Sequence, residues 1–227
     1  MHTQKNLSLV PLGDNAVLAE FSESVDLAVN ERIQRLAQAI RLRGAPWVRD
    51  VVPALGGLAL HFAPQFAGDL VQASLGIVER ALDELPPPAE VGREVEVPVC
   101  YDPEFAPDLA EVARRVKLEP EEVAKRHAEA EYRVLMIGFA PGHAYMGGLH
   151  PSLAVSRRAA PRPEVPAGSV AIANEQTVVY PYAISGGWNV IGRTPLVIFD
   201  AKREHPSLFG PGDRVRFRMI TKKEFFS

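Results

Sequence analysis

The chain has 227 residues, of which 47% are hydrophobic and 23% charged, and its formal net charge is −3. This length and composition are typical of a soluble globular protein with one large or two small domains. The slight negative charge argues against nucleic-acid or anionic-membrane binding, and no apolar run is long enough to span a bilayer. The single cysteine, Cys100, and an N-terminus without an apolar leader predict a cytoplasmic location.

The first part of the chain predicts the element order β-α-β-β-α. Apolar periodicity indicates a strand region over 8–21, a helix over 25–43, strands over 50–55 and 58–62, and a helix over 66–82. This order is typical of a split βαβ, ferredoxin-like unit. The sequence therefore predicts an α+β N-terminal domain over residues 1–88, which ends in the stiff linker Pro86-Pro87-Pro88.

Beyond the linker the sequence pattern changes. Residues 94–99 alternate as a strand with one solvated face, and residues 108–117 and 120–130 indicate two short helices. From Tyr132 onward the pattern predicts only strands and turns, because short β-rich runs are bounded by Gly and Pro. The sequence thus predicts a closed β-barrel or sandwich domain over residues 89–227.

The stretch from Met136 to Asp200 has the residues best suited to a binding site. Glycine-bearing turns alternate there with short apolar strands, and each turn carries arginine, tyrosine, histidine or tryptophan. Glycine lets backbone N–H groups approach a ligand, and arginine offers a planar fork to carboxylate or phosphate. We expect a cleft at a barrel mouth, lined on one side by Gly142, His143, Tyr145, Gly147 and Gly148, and on the other by Arg158, Arg162, Gln176, Thr177, Tyr180 and Arg193.

Each of these residues also has a structural interpretation. His143 suits acid–base chemistry by its ordinary pKa, but a lone histidine is more often a structural or pocket-lining residue. Arg158 and Arg162, together with Arg157, indicate either an anionic ligand or a solvated basic face. Trp188 is interpreted as a core anchor or as the wall of the pocket.

Several other chemistries lack their signals. Residues 187–194 match the spacing of a phosphate loop with Arg193 in place of lysine, but the apolar residues before it and Pro195 after it argue against a loop that opens a helix. The histidines show no metal-binding spacing, so no metal site is predicted. No G-x-S-x-G elbow is present, and Cys100 ends a predicted strand.

These motifs resemble the family of B-type subunits of 5-oxoprolinase, also known as allophanate hydrolase subunit 1-like or sporulation kinase inhibitor-like proteins, with carboxyltransferase subdomains C and D. The strongest matches are G-F-A-P-G-H-A-Y-M-G-G-L at 138–149 and the segments at 161–172 and 186–200, with others at 11–16, 50–53, 96–102 and 211–215. The resemblance covers nearly the whole chain. It implies an α/β N-terminal domain followed by a cyclophilin-like β-barrel.

The resemblance also implies a function. The B-type subunit would act with a homologous C-type subunit and an A-type subunit in the ATP-dependent opening of the 5-oxoproline lactam, and the chain alone is expected to be inactive. ATP with Mg²⁺ would be bound by the assembled complex, with no tightly bound cofactor in this chain. The expected catalytic residues are His143, Arg158, Arg162 and Arg193, and the expected substrate-binding residues are Gly142, Tyr145, Gly147, Gly148, Gln176, Thr177, Tyr180, Gly186, Gly187 and Trp188.

Two alternative functions stay open at this point. One is a regulatory protein that binds and inhibits a sensor histidine kinase, because glycine, proline and apolar walls suit an extended peptide. The other is the carboxyltransferase half of a biotin-dependent urea- or allophanate-type enzyme. The chain departs from the family pattern at His143, where an aromatic residue is usual, at Val178, where glycine is usual, and at Ile184-Ser185, where Ser-Pro is usual.

Overall fold

The computed structural model describes residues 7–87 and 92–227 and divides into two compact units. One unit comprises Met1–Val91 and the other Gly92–Ser227. The predicted boundary between residues 88 and 89 lies outside the described residues, as does Pro88 at the end of the predicted linker.

The N-terminal unit is a four-stranded antiparallel sheet with two helices. Its elements are β1 (Ser8–Leu12), β2 (Ala16–Glu20), α1 (Leu27–Arg43), β3 (Val48–Pro53), β4 (Gly57–Phe62) and α2 (Leu70–Asp83). The strand order is β1-β2-β4-β3. Because β2 and β3 both run antiparallel to β4, they run in the same direction on either side of it, and α1 connects them. The first predicted strand region is a hairpin of two strands.

Side-chain caps determine where the two helices of this unit begin. The Asp26 carboxylate accepts hydrogen bonds from two backbone N–H groups of the first turn of α1, and Asp69 does the same for α2. Such caps satisfy N–H groups that lack partners within the helix. Helix α2 therefore begins at Leu70, and the prediction that it begins at Phe66 is wrong.

The C-terminal unit contains a closed barrel of seven strands. Its elements are β5 (Glu94–Cys100), α3 (Leu109–Val116), α4 (Pro120–Glu129), β6 (Glu131–Ile137), β7 (Ala144–Gly147), β8 (Arg162–Val165), β9 (Ser169–Ala173), β10 (Gln176–Val179), β11 (Ile184–Gly186), β12 (Asn189–Arg193), β13 (Arg214–Ile220) and α5 (Lys222–Phe225). The barrel order is β10-β7-β6-β13-β5-β12-β9. Strands β8 and β11 form a separate two-stranded sheet, called the small sheet below.

The closed barrel confirms the predicted barrel of the C-terminal unit. The more specific assignments, ferredoxin-like for the N-terminal unit and cyclophilin-like for the C-terminal unit, stay predictions. The expectation of only strands and turns after Tyr132 is wrong at two places. Residues Pro151–Leu153 form a 3₁₀ turn, and α5 follows the last barrel strand. Helix α5 starts there because Thr221 and Glu224 form a capping box.

Successive side chains along the barrel strands point to opposite faces of the sheet, so they belong to two different apolar clusters. Val170, Ile172 and Val179 belong to the large core of this unit. Their neighbours Ala171 and Val178 face the opposite way and belong to a second cluster. This second cluster includes residues of the small sheet, so it covers the outer face of β9 and β10.

A buried polar chain crosses the core of the C-terminal unit. The Tyr101 hydroxyl lies 2.8 Å from His127 Nδ1, and His127 Nε2 lies 3.0 Å from Thr177 Oγ1. Thr177 Oγ1 donates to the carbonyl of Ala171. His127 Nε2 is therefore the donor to Thr177, and Tyr101 donates to Nδ1. This arrangement requires neutral His127, and burial lowers its pKa to about 3.

The chain of hydrogen bonds predicts the effect of replacing Thr177 by valine. T177V should lower the free energy of unfolding by about 1–3 kcal/mol, because the buried His127 N–H loses its acceptor. Urea denaturation of T177V, H127F and the double variant measures this. The double variant should lose less than the sum of the two single losses, and strict additivity would contradict a coupled pair.

Candidate functional site

Five rings form an aromatic cluster on the outer side of the barrel, contributed by Phe139, His143, Tyr145, Tyr180 and Trp188. The His143 ring centroid lies 5.3 Å from that of Phe139, 4.9 Å from Tyr145 and 5.4 Å from Tyr180. Tyr145 in turn lies 5.9 Å from Trp188. The structure therefore brings four predicted site residues together beside the small sheet on the outer barrel face, and it adds Phe139, which the sequence analysis missed.

His143 is enclosed by its aromatic neighbours. It is only 1% exposed, and its Nδ1 has no hydrogen-bond partner in the described structure. Burial lowers the pKa of His143 to about 4, so the ring is neutral near pH 7. A ring that holds no extra proton at neutral pH and is closed to solvent fits the pocket-lining interpretation better than acid–base catalysis.

The tyrosines of the cluster remain protonated. Burial raises the pKa of Tyr180 to about 12 and also raises that of Tyr145. With neutral His143, these side chains give the cluster polar groups without formal charge.

Packing explains two glycines that the sequence assigned to ligand contact. Gly148 has φ +105°, and a Cβ there would lie 2.3 Å from the carbonyl oxygen of Glu131. At Gly186 a Cβ would lie 2.1 Å from the Tyr180 hydroxyl oxygen. Both positions exclude any larger residue for steric reasons. Gly142 is constrained in a similar way, with φ +77° and a Cβ that would lie 2.8 Å from Phe199 Cβ, whereas at Gly187 a Cβ would make only ordinary contact with Pro161.

Two of the predicted ligand arginines bind a carboxylate of the same chain. Asp108, which is 3% exposed, accepts hydrogen bonds from Arg158 Nη1 at 2.6 Å and from both Arg162 Nη atoms at 2.6 and 2.7 Å. The backbone N–H of Val190 donates to the same carboxylate at 2.7 Å. We call this arrangement the Asp108 clasp. These contacts give Arg158 and Arg162 a structural role at Asp108, and their predicted catalytic role stays a prediction.

Arg193 also bonds within the chain. Its Nε donates to the Ala167 carbonyl at 2.8 Å. Arg193 is the last residue of β12 (Asn189–Arg193), which pairs with β9, so this segment is a strand and not a phosphate-binding turn that opens a helix. Only Nε of Arg193 is used in this bond, and its predicted catalytic role stays a prediction.

Among the arginines at 157, 158 and 162, Arg157 has a guanidinium that is not bound to a carboxylate and could bind a ligand. It is exposed, its guanidinium carbon lies 5.5 Å from the Trp188 ring centroid, and it makes no ion pair among the described residues. It favours the charged forms of Tyr145 and Tyr180. The sequence grouped Arg157 with the two clasp arginines and gave no signal to distinguish it, because only the tertiary contacts show which guanidiniums are paired.

Gln176 and Thr177 face opposite sides of β10. Thr177 is fully buried in the polar chain with His127, which supports a structural role, and its predicted role in substrate binding stays a prediction. Gln176 pairs in register with Gly147 on the outer face. It is 7% exposed, and its Nε2 has no acceptor in the described structure. Burying an amide N–H without a partner costs about 1–3 kcal/mol, so Gln176 is the strongest candidate to donate to a ligand.

Trp188 belongs to an apolar core and also contacts the residues of the aromatic cluster. It is buried in the outer-face cluster, yet Arg157 and Tyr145 pack on it. Val178, where the resemblance leads us to expect glycine, is fully buried in the same cluster. This departure therefore changes the packing beneath the aromatic cluster and adds no polar group to it.

Metal-binding and membrane-spanning features are absent from the described residues. Histidine, cysteine, aspartate and glutamate side chains do not form any group of three or more that could hold a metal ion within 7–87 and 92–227. In the same part of the chain, each helix is too short or too polar to cross a membrane.

Comparison with known proteins places the chain among carboxyltransferase proteins. Residues 7–209 match the family model described as carboxyltransferase domain, subdomain C and D. The chain is 40% identical over 223 residues to the B-type subunit of 5-oxoprolinase from Bacillus subtilis (strain 168), and the match covers 94% of this chain and 93% of that protein. It is also 40% identical over 215 residues to the B-type subunit of 5-oxoprolinase from Escherichia coli O157:H7, with 94% and 95% covered.

A solved structure shares the fold. The crystal structure of TTHA0988 matches 91% of this chain with a TM-score of 0.78 and 39% sequence identity. The chain spans 40% of the length of that protein.

The Asp108 clasp predicts the effect of removing Arg162. R162A should lower the free energy of unfolding by about 2–4 kcal/mol, because a buried carboxylate loses two of its four N–H donors. R193A is the matched control and should cost less than about 1 kcal/mol, because it removes one hydrogen bond at a more exposed site. Urea denaturation compares the two, and equal losses would contradict the clasp.

Buried His143 predicts a pH dependence of stability. Its folded-state pKa of about 4 lies below the ordinary 6.5, so the unfolded state binds more protons as the pH falls. The stability that depends on neutral His143 is complete above pH 6.5 and is lost toward pH 4. H143F should therefore reduce the slope of unfolding free energy against pH by about 1 kcal/mol per pH unit between about pH 6 and pH 5. An unchanged slope in urea titrations would show that His143 is protonated in the folded state.

Proposed function

The chain belongs to the family of carboxyltransferase domains, subdomains C and D, and on this premise we propose that it is the B-type subunit of a 5-oxoprolinase. The observation that carries the proposal is the 40% identity to two such proteins over more than nine-tenths of both lengths. It acts there with a homologous C-type subunit and an A-type subunit, and we extend the proposal to a cytoplasmic location. The kinase-inhibitor and biotin-dependent alternatives are not favoured, since both relatives carry the 5-oxoprolinase name.

Opening a lactam requires activation of its carbonyl group. An amide carbon is a poor electrophile, and transfer of a phosphoryl group to the carbonyl oxygen creates a good leaving group. ATP supplies that activation in the proposed reaction. Groups that stabilise the developing negative charge must be cations or N–H donors that are already oriented.

The aromatic cluster does not fit a triphosphate. His143 is neutral, the tyrosines are protonated, and Arg158 and Arg162 both hydrogen-bond to the Asp108 carboxylate, which neutralises one of their two charges. Phosphate groups are bound in proteins by backbone N–H cradles with lysine or arginine and Mg²⁺. We therefore propose that the groups which hold ATP and Mg²⁺ belong mainly to the other components of the complex.

The same cluster does fit a small amide with one carboxylate. Gln176 offers an N–H donor without a partner, and Tyr145 offers a protonated hydroxyl on the same outer face. Arg157 offers an unpaired guanidinium above Trp188. An amide oxygen takes neutral donors, a carboxylate takes arginine, and a lactam ring packs on aromatic faces. In this proposal the chain binds and orients the lactam.

The test is ATP turnover with 5-oxoproline by the chain alone, with the C-type subunit, and with the A- and C-type subunits together. We expect 5-oxoproline-dependent ATP hydrolysis only in the mixtures, because the aromatic cluster of this chain does not fit a triphosphate. In the complete mixture R157Q should raise the KM for 5-oxoproline about tenfold, the scale of one charge-assisted hydrogen bond.

The matched control is R214Q, which removes an exposed arginine on β13. It should leave KM unchanged. Absence of turnover in the complete mixture of folded proteins would refute the proposed function, whereas equal effects of R157Q and R214Q would refute only the assignment of the site.

A further inference from the structure

A cavity lies within the N-terminal unit, and the proposed reaction does not use it. It has a volume of about 420 Å³ and lies where the C-terminal end of α1 and the following turn meet α2. Pockets of roughly 300–1,000 Å³ are typical of small-molecule sites. Its apolar lining includes Ile40, Pro46, Trp47, Phe62, Phe66 and Ile77.

The aromatic residues of this cavity are arranged as a wall with an exposed edge. Phe62 and Phe66 have ring centroids 5.1 Å apart, and Phe66 lies 6.1 Å from Trp47. Phe62 is buried, whereas Trp47 is 50% exposed. A large indole that is half in water at the edge of an apolar cavity gains stability when an apolar group covers it.

The charged groups that line the cavity all have the same sign. They are Arg43 and Arg80, and among the described residues no acidic side chain lines it. Arg43 is held by Glu84 at 2.6 Å. Arg80 is exposed and makes no ion pair within the described part of the chain. One guanidinium is thus available at an otherwise apolar site.

We propose that this cavity binds a small amphipathic carboxylate. The apolar body of the ligand lies against Trp47 and Phe66, and its carboxylate pairs with Arg80. The guanidinium fork matches a carboxylate, and the apolar lining has no group that would bind a second polar function. A medium-chain fatty acid and an arylalkyl acid share this chemistry. The site lies in a different unit from the aromatic cluster, so the proposal is independent of the proposed function.

Octanoate and phenylpropionate are the probes, and the intact chain is the protein. Tryptophan fluorescence is titrated with each acid and with octylammonium and octan-1-ol. The chain has two tryptophans, and since Trp188 lines the aromatic cluster of the other unit, the W47F variant assigns the change to Trp47. We expect saturable binding of an acid, weaker binding of octan-1-ol, and no binding of octylammonium. The relative affinities of octanoate and phenylpropionate show whether the cavity prefers an alkyl chain or an aromatic ring.

Variants assign the signal to the cavity. R80Q should weaken binding of the acid about fivefold, the scale of one partly exposed ion pair. R49Q, which removes an exposed arginine of β3 outside the lining, is the matched control and should leave the affinity unchanged. W47F should remove the fluorescence change while calorimetry still detects binding.

Three outcomes would overturn the proposal. They are no saturable binding of either acid, equal affinity for octanoate and octylammonium, and equal effects of R80Q and R49Q. Circular dichroism of each variant confirms that it is folded. Because glutamine is well tolerated in helices, R80Q is expected to keep α2 intact.

Discussion

The buried carboxylate of Asp108 is the constraint on which the C-terminal unit depends. It immediately precedes α3, and the groups that satisfy it come from β8, from β12 and from the loop that contains Arg158. A carboxylate removed from water is stable only when its lone pairs are filled, so these four segments are held at fixed positions. The small sheet covers the outer barrel face in part because Arg162 at its start is bound to Asp108.

The clasp also determines the chemistry available at the aromatic cluster. Arg158 and Arg162 share the single carboxylate of Asp108, so the clasp keeps one net positive charge, and the aromatic cluster has neutral donors and the exposed guanidinium of Arg157. Burial also limits the charge of the aromatic cluster, because it keeps His143 and the tyrosines uncharged. In the proposed function this site binds a small polar molecule with one negative charge, and the other subunits bind the polyphosphate. This division agrees with relatives that are named as one subunit of a larger enzyme.

Unsatisfied polar atoms are informative because protein interiors contain few of them. In the C-terminal unit the polar chain from Tyr101 through His127 to Thr177 is complete, which marks it as structural. The amide of Gln176, on the other face of the same strand, is incomplete. Two adjacent residues of one strand therefore have different roles, and the side of the sheet decides which residue is available to a ligand.

The sequence by itself determined the elements and the family. Helical and strand periodicities located α1, α3, α4 and β5 to within a few residues, because the periods of 3.6 and 2 are local properties of the chain. The motifs at 138–149 and 186–200 were specific enough to indicate the family. The sequence also indicated the aromatic cluster, since His143, Tyr145, Tyr180 and Trp188 lie next to its glycine turns.

Only the tertiary structure decided how the polar residues are used. Arg157, Arg158 and Arg162 look equivalent in sequence, but Asp108, about 50 residues earlier in the chain, pairs with two of them and leaves the third available. His127 and Thr177 are likewise 50 residues apart, and neither position signals a hydrogen bond to the other. Ion pairs, burial and the pKa values that follow from them depend on contacts between distant segments. The local pattern of residues does not contain those distances, and for that reason the residues of the site could be proposed from sequence but their roles could not.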